Sequence, residues 1–199
     1  TTTGLTAATS APIGLSAGTA SQLALATQPA FTAQSGVVLT RQPVVRLQDA
    51  SGNVVGQANV VVTVTVVSGT VTLATATAAT TAGGTATFAT LSLTGLVGSY
   101  TLRFSAPSVS SVDASSPTVL SAGPAKQLSL TTQPASNALA GAALAPQPVV
   151  QLRDTSGNTA SGAGVVVTAS LTSGTATLAN TTATTNAAGL ATFAGLAIT

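Results

Sequence analysis

The chain has 199 residues, enough for two domains of roughly 100 residues, and only 4% of its residues are charged. It contains no His, Cys, Met or Trp and only three acidic residues, so we expect no enzyme, no disulfide framework and no Cys-based metal site. Five basic and three acidic residues give a net charge of +2, and the basic residues are too sparse to form a surface that binds nucleic acid.

Short strands are predicted along the first half of the chain, because apolar and polar residues alternate there at the period of two that marks half-buried strands. Val and Thr dominate these segments, and their β-branched side chains favour extended backbone. The residues predicted to lie on buried strand faces are Leu23, Leu25, Val45, Leu47, Val60, Val62, Val64, Val66, Phe88, Tyr100, Leu102 and Phe104. The alternation shifts near Thr90, which is compatible with a β-bulge.

A turn is predicted at Asp49 to Asn53, where Asp-Ala-Ser-Gly-Asn separates two of these strands. Gly adopts positive φ without steric cost, and Asp and Asn can bond to nearby backbone groups. A calcium loop is the alternative, but Ca²⁺ takes about six to eight oxygen ligands, usually from several carboxylates, and this loop has one. We therefore predict no metal site and no cofactor. An ion pair between Asp49 and Arg46 is a further expectation, as is one between Asp154 and Arg153.

Two other surface patterns have competing interpretations. The alternating Thr70, Thr72, Thr75 and Thr77 resemble a flat ice-binding array, but solvent-facing positions on a twisted sheet explain them as well. Asn180 begins an Asn-x-Thr acceptor pattern for N-linked sugar, although Thr75 stands at its matching position in the repeat described next. Core packing is the interpretation favoured for the aromatic residues at strand period.

The second half of the chain repeats the first. Gln42-Pro43-Val44-Val45 recurs 105 residues later as Gln147-Pro148-Val149-Val150, and the turn at Asp49 recurs at Asp154. More than half of the paired positions between residues 16 and 94 are identical, without a gap. Residues 1–15 follow the same register, since Pro12 and Leu15 align with Pro117 and Leu120.

This pattern predicts an all-β chain of tandem immunoglobulin-like β-sandwiches, with about seven antiparallel strands in each repeat. We expect residues 1–15 to form the closing strand of a preceding repeat, residues 16–121 a complete repeat, and residues 122–199 a second repeat that lacks its last strands. The linker Ser121-Ala122-Gly123-Pro124 is short and contains a proline, which predicts restricted bending between the repeats.

Several segments resemble the bacterial immunoglobulin-like repeats of invasin and intimin type, the Big family of surface adhesins and fibres. These segments are Asp49 to Asn53, Ser68-Gly69-Thr70 leading to Leu73, Thr81 to Phe88, and Gly98-Ser99-Tyr100-Thr101-Leu102. The resemblance implies extracellular stalks that hold an adhesive tip away from the cell, or surface fibres. The lectin-like tip that carries receptor binding in some members is missing from this sequence.

The sequence thus predicts a non-catalytic structural repeat segment of a bacterial extracellular fibre, filament or adhesin stalk. The alternative is an adhesin module that binds a glycan or protein through loops at one end of a sandwich, for which Phe31 and Arg41 are the candidates because they become Ser136 and Pro146 in the second repeat. Expected partners are neighbouring repeats or copies of the chain, including strand exchange at the incomplete second sandwich. We expect an extracellular or cell-surface location and no membrane insertion of this segment.

Overall fold

The computed structural model describes residue 4 and residues 8–199, and the regular structure within them consists of β-strands. The predicted all-β class is confirmed. We use "first copy" for residues 16–121 and "second copy" for the part of the chain that repeats it 105 residues later. None of the described residues forms a helix long and apolar enough to cross a membrane.

Twelve short strands lie in the first copy. They are β1 (Gln22–Thr27), β2 (Thr32–Gln34), β3 (Val44–Gln48), β4 (Val61–Val66), β5 (Val71–Ala74), β6 (Thr77–Ala79), β7 (Thr85–Thr87), β8 (Ser92–Gly95), β9 (Gly98–Tyr100), β10 (Leu102–Ser105), β11 (Val112–Asp113) and β12 (Thr118–Ser121). They form sheets in the orders β1-β3-β7, β11-β10-β4-β6, β2-β12-β9 and β5-β8. The pairs are antiparallel except β2 with β12, which is parallel.

The number of strands exceeds the predicted seven because single extended segments change sheets. After β9 pairs with β12, the chain breaks at Thr101 and continues as β10, which pairs with β4. In the same way β7 pairs with β3 and β8 pairs with β5. The bulge considered near Thr90 is therefore a bend between two sheets, and it lies in the segment between β7 and β8.

One apolar core fills the first copy. Phe88 and Phe104 are fully buried at its centre, with their ring centroids 5.8 Å apart in an edge-to-face arrangement. The strand residues predicted to be buried, from Leu23 to Phe104, belong to this core or pack against it. The expectation that the aromatic residues at strand period serve in core packing is confirmed for Tyr100 and Phe193 as well.

The second copy repeats the pairings of β1, β3 and β7, of β4 with β6 and of β5 with β8, but residues 137–139, which match β2, form no strand. Its strands are β13 (Gln127–Thr132), β14 (Val149–Arg153), β15 (Val166–Thr168), β16 (Leu178–Ala179), β17 (Thr182–Thr184), β18 (Leu190–Thr192) and β19 (Ala197–Ile198). The pair β13–β14 even shifts register between Leu130 and Thr132, the positions that match the shift between Leu25 and Thr27. A separate apolar core is centred on Phe193.

The second core is open on one side. Leu128 is 57% exposed, whereas its counterpart Leu23 is 5% exposed within the first core. Leu130 and Leu128 line an apolar groove that also contains Val150, Phe193 and Ile198. Strands β9 to β12 of the first copy have no counterpart among the described residues of the second, so nothing in the described chain covers this groove.

Candidate functional site: the junction between the copies

The two copies meet at a short linker that is tied to the second copy. Strand β12 ends at Ser121 and β13 begins at Gln127. Between them, the N–H of Gly123 donates to Oδ2 of Asp154 over 2.8 Å, and the N–H of Lys126 donates to the carbonyl of Arg153 over 2.7 Å. These two bonds fix the linker against the turn that follows β14.

The carboxylate of Asp154 organises that turn. Its Oδ1 accepts the N–H groups of Ser156 and Asn158, both at 2.9 Å, and its Oδ2 accepts the Asn158 side-chain amide at 2.8 Å in addition to Gly123. Burial alone raises the pKa of Asp154, but the hydrogen bonds, led by that from Asn158, outweigh it and hold the pKa below its ordinary value. At neutral pH the Asp154 carboxylate is therefore ionised, and both of its oxygens accept hydrogen bonds from the protein.

The Asp49 turn of the first copy has the same internal bonds. Its carboxylate accepts the N–H groups of Gly18, Ser51 and Asn53 and the Asn53 side-chain amide, at distances between 2.8 and 3.0 Å. The hydrogen bond from the Asn53 side chain, followed by that from Gly18, lowers the pKa of Asp49 to about 2. Both turns thus use the single carboxylate to hold the loop and the incoming linker.

Asn158 connects the Asp154 turn to the first copy through hydrogen bonds. Its Nδ2 donates to the carbonyl of Gly95 over 2.9 Å, and its Oδ1 accepts the N–H of Val97 at 3.0 Å. The second hydrogen on Nδ2 is the one donated to Asp154, so both amide hydrogens are used. Asn158 is buried by this contact, whereas its counterpart Asn53 is exposed. One side chain therefore clamps two backbone groups of the neighbouring copy.

Ser35 is a residue of the first copy that contacts the Asp154 turn. Its Oγ accepts the N–H of Gly95 and donates to the Gly95 carbonyl, both at 3.1 Å, and lies 3.2 Å from Oγ of Ser156. Because Ser35 has a single hydroxyl hydrogen, Ser156 is the donor when Ser35 bonds to the Gly95 carbonyl. The N–H of Ser35 also donates to the carbonyl of Ser121, at the end of β12. Ser35 thus joins the linker, β8 and the second copy.

Gly123 permits a close approach between the copies. A Cβ added there would lie 2.2 Å from the carbonyl oxygen of Ser35, a distance that no side chain tolerates. The junction therefore requires glycine at this position. Hydrogen bonds are directional, so those that Asn158 and Ser156 make to the first copy restrict the angle between the copies as well as their separation.

The arginine–aspartate pairs expected from the sequence are wrong. Arg153 donates from Nε to Oγ of Ser129 over 2.6 Å and from Nη1 to the Gly157 carbonyl over 2.8 Å, while the Asp154 carboxylate is filled by the turn. The ion pair found among the described residues joins Arg103 and Asp113 in adjacent strands, with two hydrogen bonds of 2.6 and 2.8 Å. Its hydrogen bonds lower the pKa of Asp113.

The remaining surface candidates are distributed over the molecule. Within residue 4 and residues 8–199, no three acidic, His or Cys side chains gather where they could hold a metal ion. Thr72 lies in β5 and Thr77 in β6, which belong to different sheets, whereas Thr70 precedes β5 and Thr75, with a φ of 54°, lies between the two strands. The four threonines therefore do not form one flat array. The Asn180 amide donates to the Gly195 carbonyl over 2.8 Å.

Phe31 and Arg41, the candidate binding residues, do come together. The Arg41 guanidinium lies 4.9 Å from the centroid of the Phe31 ring, and its Nε and Nη2 donate to the carbonyls of Gln28 and Pro29 over 2.8 and 3.0 Å. Phe31 is 40% exposed. The pair is a preorganised aromatic and cationic surface on the first copy.

Sequence reasoning did not identify the residues that join the copies, namely Ser35, Gly95, Val97, Gly123 and Asn158. Gly123 and Asn158 belong to motifs that are identical in both copies, so nothing in the sequence separates a joining residue from its unjoined counterpart. The structure also gives Gln42 a role that its place in the repeated motif did not indicate. Its side chain bonds to the Leu39 and Leu91 backbone, as Gln147 does in the second copy. For the junction, the signal that the sequence offers is the glycine of the linker and the Ser-Gly-Asn turn, which recur at the same spacing in both copies.

Comparison with known proteins gives one family match and several remote structural similarities. The family model described as SMCHD1 Ig-like domain 6 matches residues 18–120. No curated protein matches the sequence significantly. Among solved structures, the chain is similar to the Escherichia coli adhesin FdeC, with 15% identity, a TM-score of 0.43, and coverage of 89% of this chain and 55% of that one. It therefore spans about half of the FdeC structure.

Two further structures cover the chain to a similar extent. The D0-D1 domain of intimin has 19% identity and a TM-score of 0.34, with coverage of 88% of this chain and 85% of that one. Domains 5-6 of the S-layer protein SbsC have 18% identity and a TM-score of 0.35, with coverage of 89% and 85%.

Proposed function

This chain belongs to the immunoglobulin-like domain family whose model matches residues 18–120, and we propose that it is a structural repeat segment of a bacterial extracellular fibre, filament or adhesin stalk. In this role it acts as a spacer, with no catalytic activity, at the cell surface or outside the cell. The motifs shared with invasin-type repeats and a surface rich in Thr, Ser and Asn support the extracellular setting.

The observation that carries this proposal is the junction between the copies. A flexible linker would leave the backbone of Gly95 and Val97 to water, but Asn158 bonds to both groups. The contact at Gly123 leaves no room for a side chain. Repeats joined in this way gain stability from each neighbour interface, so an array can be lengthened without changing its units. Such a junction suits a spacer that must hold its direction.

The acidic side chains support a non-catalytic role, because each is committed to the fold. The carboxylates of Asp49 and Asp154 are filled by their turns, and that of Asp113 by Arg103. Acid–base catalysis requires a group that can exchange a proton with a substrate. The chain has no His, Glu or Cys to supply another.

Small-angle scattering tests the spacer role through Asn158. In the unaltered chain we expect one fixed arrangement of the two copies, and Asn158→Ala should broaden the distance distribution and increase the maximum dimension. Asn53→Ala is the matched control, because it makes the same change in the equivalent turn of the first copy without touching the junction, and it should leave the profile unchanged. Freely jointed copies in the unaltered chain would overturn the proposal of a stiff spacer.

The location can be tested independently with an antibody raised against the chain. Immunogold electron microscopy of the producing cells should label filaments or projections outside the cell envelope. Label confined to the cell interior would contradict the extracellular role, whatever the stiffness of the junction.

The alternative function is an adhesin module, and the pair Phe31–Arg41 favours it. An exposed aromatic ring held against a cation can stack on a sugar or pack on a protein surface. If the first copy binds a glycan or protein, Phe31→Ala should weaken binding of the chain to immobilised host glycans or matrix proteins at least about tenfold. Equal binding by Phe31→Ala and the unaltered chain would remove this pair from consideration.

We also propose strand exchange between copies of the chain as a mode of assembly. Ile13 and Leu15 are almost fully exposed in a segment without regular structure, and Leu15 matches Leu120, which is buried in the first core. The apolar groove beside Leu128 and Leu130 is the equivalent position in the second copy. The occupant we propose is residues 12–16 of another copy.

Native mass spectrometry of mixed light and heavy chains measures this exchange. Mixed dimers should form at high concentration, and Ile13→Asn with Leu15→Asn should reduce them strongly. A chain that stays monomeric under these conditions would exclude strand exchange without affecting the spacer proposal.

A further inference from the structure

We propose that the Asp49 turn together with Gly18 is a docking site for a further immunoglobulin-like repeat, held by the same contacts that join the two copies of this chain. This inference rests on the spacer function proposed above. It adds the surface that a third repeat would use and the chemistry that the repeat must carry.

The first support is the equal geometry of the two turns. In each, the N–H of a linker glycine donates to Oδ2 of the aspartate over 2.8 Å, from Gly18 to Asp49 and from Gly123 to Asp154. The internal bonds made by Ser51 and Asn53 match those of their counterparts within about 0.2 Å. The turn is therefore formed before any partner binds it.

Gly18 provides the second, independent support. An added Cβ there would meet only the side chain of Asp49, at 3.6 Å, which is ordinary van der Waals contact. No positive φ requires glycine at position 18 either. The counterpart Gly123 must be glycine because the Ser35 carbonyl of another repeat presses against it. A partner seated in the same way on Gly18 explains why this position carries no side chain.

The unused bonding groups of Asn53 provide the third support. Within the described part of the chain, its side chain makes one hydrogen bond, from Nδ2 to Asp49. This leaves one amide hydrogen and Oδ1 at the exposed surface, and these are the groups that Asn158 gives to Gly95 and Val97. Ser51 is exposed too, whereas Ser156 lies against Ser35.

The site defines the chemistry of its partner. The partner must present a carbonyl and, two residues later, an N–H on an open edge, as Gly95 and Val97 do. It must carry a small hydroxyl residue beside them, as Ser35 does, and a backbone carbonyl that can approach Gly18. The edge of the first copy meets all of these requirements, so a repeat of that kind is the occupant.

A chain with one added copy tests the proposal. Residues 16–120 are duplicated in tandem, so that residues 1–120 precede residues 16–199 and the 105-residue register is kept. The natural sequence has no Cys, so pairs of engineered thiols report contacts without interference. In the 199-residue chain, Ser35→Cys with Ser156→Cys is the reference pair, because the two hydroxyl oxygens lie 3.2 Å apart.

In the longer chain, the test pair is Ser35→Cys in the added copy with Ser51→Cys in the copy that follows it. We expect its disulfide to form at a rate within about threefold of the reference pair, as followed by non-reducing electrophoresis. Gly18→Ala and, separately, Asn53→Ala should each slow it at least about tenfold. Gly18→Ala should leave the reference pair unchanged, which shows that this variant folds.

Two outcomes would overturn the inference. If the reference pair closes and the test pair does not, the Asp49 turn is not a docking site, while the spacer function still stands. If the test pair closes equally fast with and without Gly18→Ala, the contact does not use the proposed surface. Failure of the reference pair would instead contradict the fixed junction on which the spacer function depends.

Discussion

Gly123 and Ser35 lie in such close contact that a Cβ on Gly123 would stand 2.2 Å from the Ser35 carbonyl oxygen. That oxygen belongs to backbone whose N–H is bonded to Ser121, so it cannot simply turn away. The same glycine in the first copy, Gly18, has open space apart from the side chain of Asp49 at 3.6 Å. The two glycines hold equivalent positions in the repeat but differ in this contact, so the same substitution can be compared at both.

Gly123→Ala should therefore weaken the junction, and Gly18→Ala should not. Forcing a methyl group into a closed contact costs about 1–3 kcal/mol, so we expect the free energy of unfolding in urea to fall by that amount or the copies to separate at the junction. Scattering on the same samples distinguishes the two results. The expected weakening of the junction is wrong if Gly123→Ala is as stable and as compact as Gly18→Ala.

Acid should destabilise the chain through its three aspartates. The folded pKa of Asp49 is lowered from 3.8 to about 2, and those of Asp154 and Asp113 are lowered too. A lowered folded pKa gives stability that is complete above the unfolded pKa and is lost as pH falls through the folded one. We expect the free energy of unfolding to be level above about pH 5 and to decrease between about pH 4 and pH 2.

Urea titrations at a series of pH values measure this decrease. Asp49→Asn removes the titrating group and should reduce the slope below about pH 4, at the cost of lower stability at neutral pH. A chain with equal stability at about pH 5 and pH 2 would contradict the role of the filled carboxylates.

Thr75 occupies a conformation that suits asparagine better. Its φ is 54°, in the left-handed region where a β-branched residue is rare, and the matching Asn180 has φ of 53°. Thr75→Asn should raise the free energy of unfolding by about 0.5–1 kcal/mol, even though the Thr75–Thr90 hydroxyl contact is lost. Asn180→Thr should lower it by at least as much, because the bond to Gly195 is lost too. Thermal unfolding of both variants checks the opposite signs.

Phe104 and Phe31 test the division between core and surface aromatic residues. Phe104 is fully buried against Phe88, so Phe104→Ala should cost about 3–5 kcal/mol of unfolding free energy. Phe31 is 40% exposed and its ring lies against the Arg41 guanidinium, so Phe31→Ala should cost no more than about 1 kcal/mol. Denaturant unfolding measures both values, and similar losses would contradict this assignment.

The sequence was sufficient to predict the buried faces of the strands. Alternation at period two depends only on local geometry, so Val62, Leu102 and Phe104 could be assigned to the core from their spacing. The turn at Asp49 was also predictable, because Gly and Asp favour it locally. The long-range pairing was not: the parallel contact of β2 with β12 joins segments far apart in sequence and leaves no periodic signal.

The junction could not be predicted for a different reason. Asn53 and Asn158 are the same residue in the same motif, yet one is exposed and the other is buried against another copy. In the described chain, Asn158 has the Gly95–Val97 edge of the first copy beside it, and no such edge lies beside Asn53. The Arg103–Asp113 pair likewise depends on how the loop between β10 and β11 returns the chain.

The parallel pairing of β2 with β12 determines how the first copy would bear tension. Val119 and Ser121 lie opposite Thr32 and Gln34, and further bonds join Val119 to Phe31 and Ser35 to Ser121. When the two ends of the copy are pulled apart, these parallel strands slide against each other, so their hydrogen bonds are loaded together and do not open one by one. In an optical trap, the first copy should therefore rupture in one abrupt step at high force.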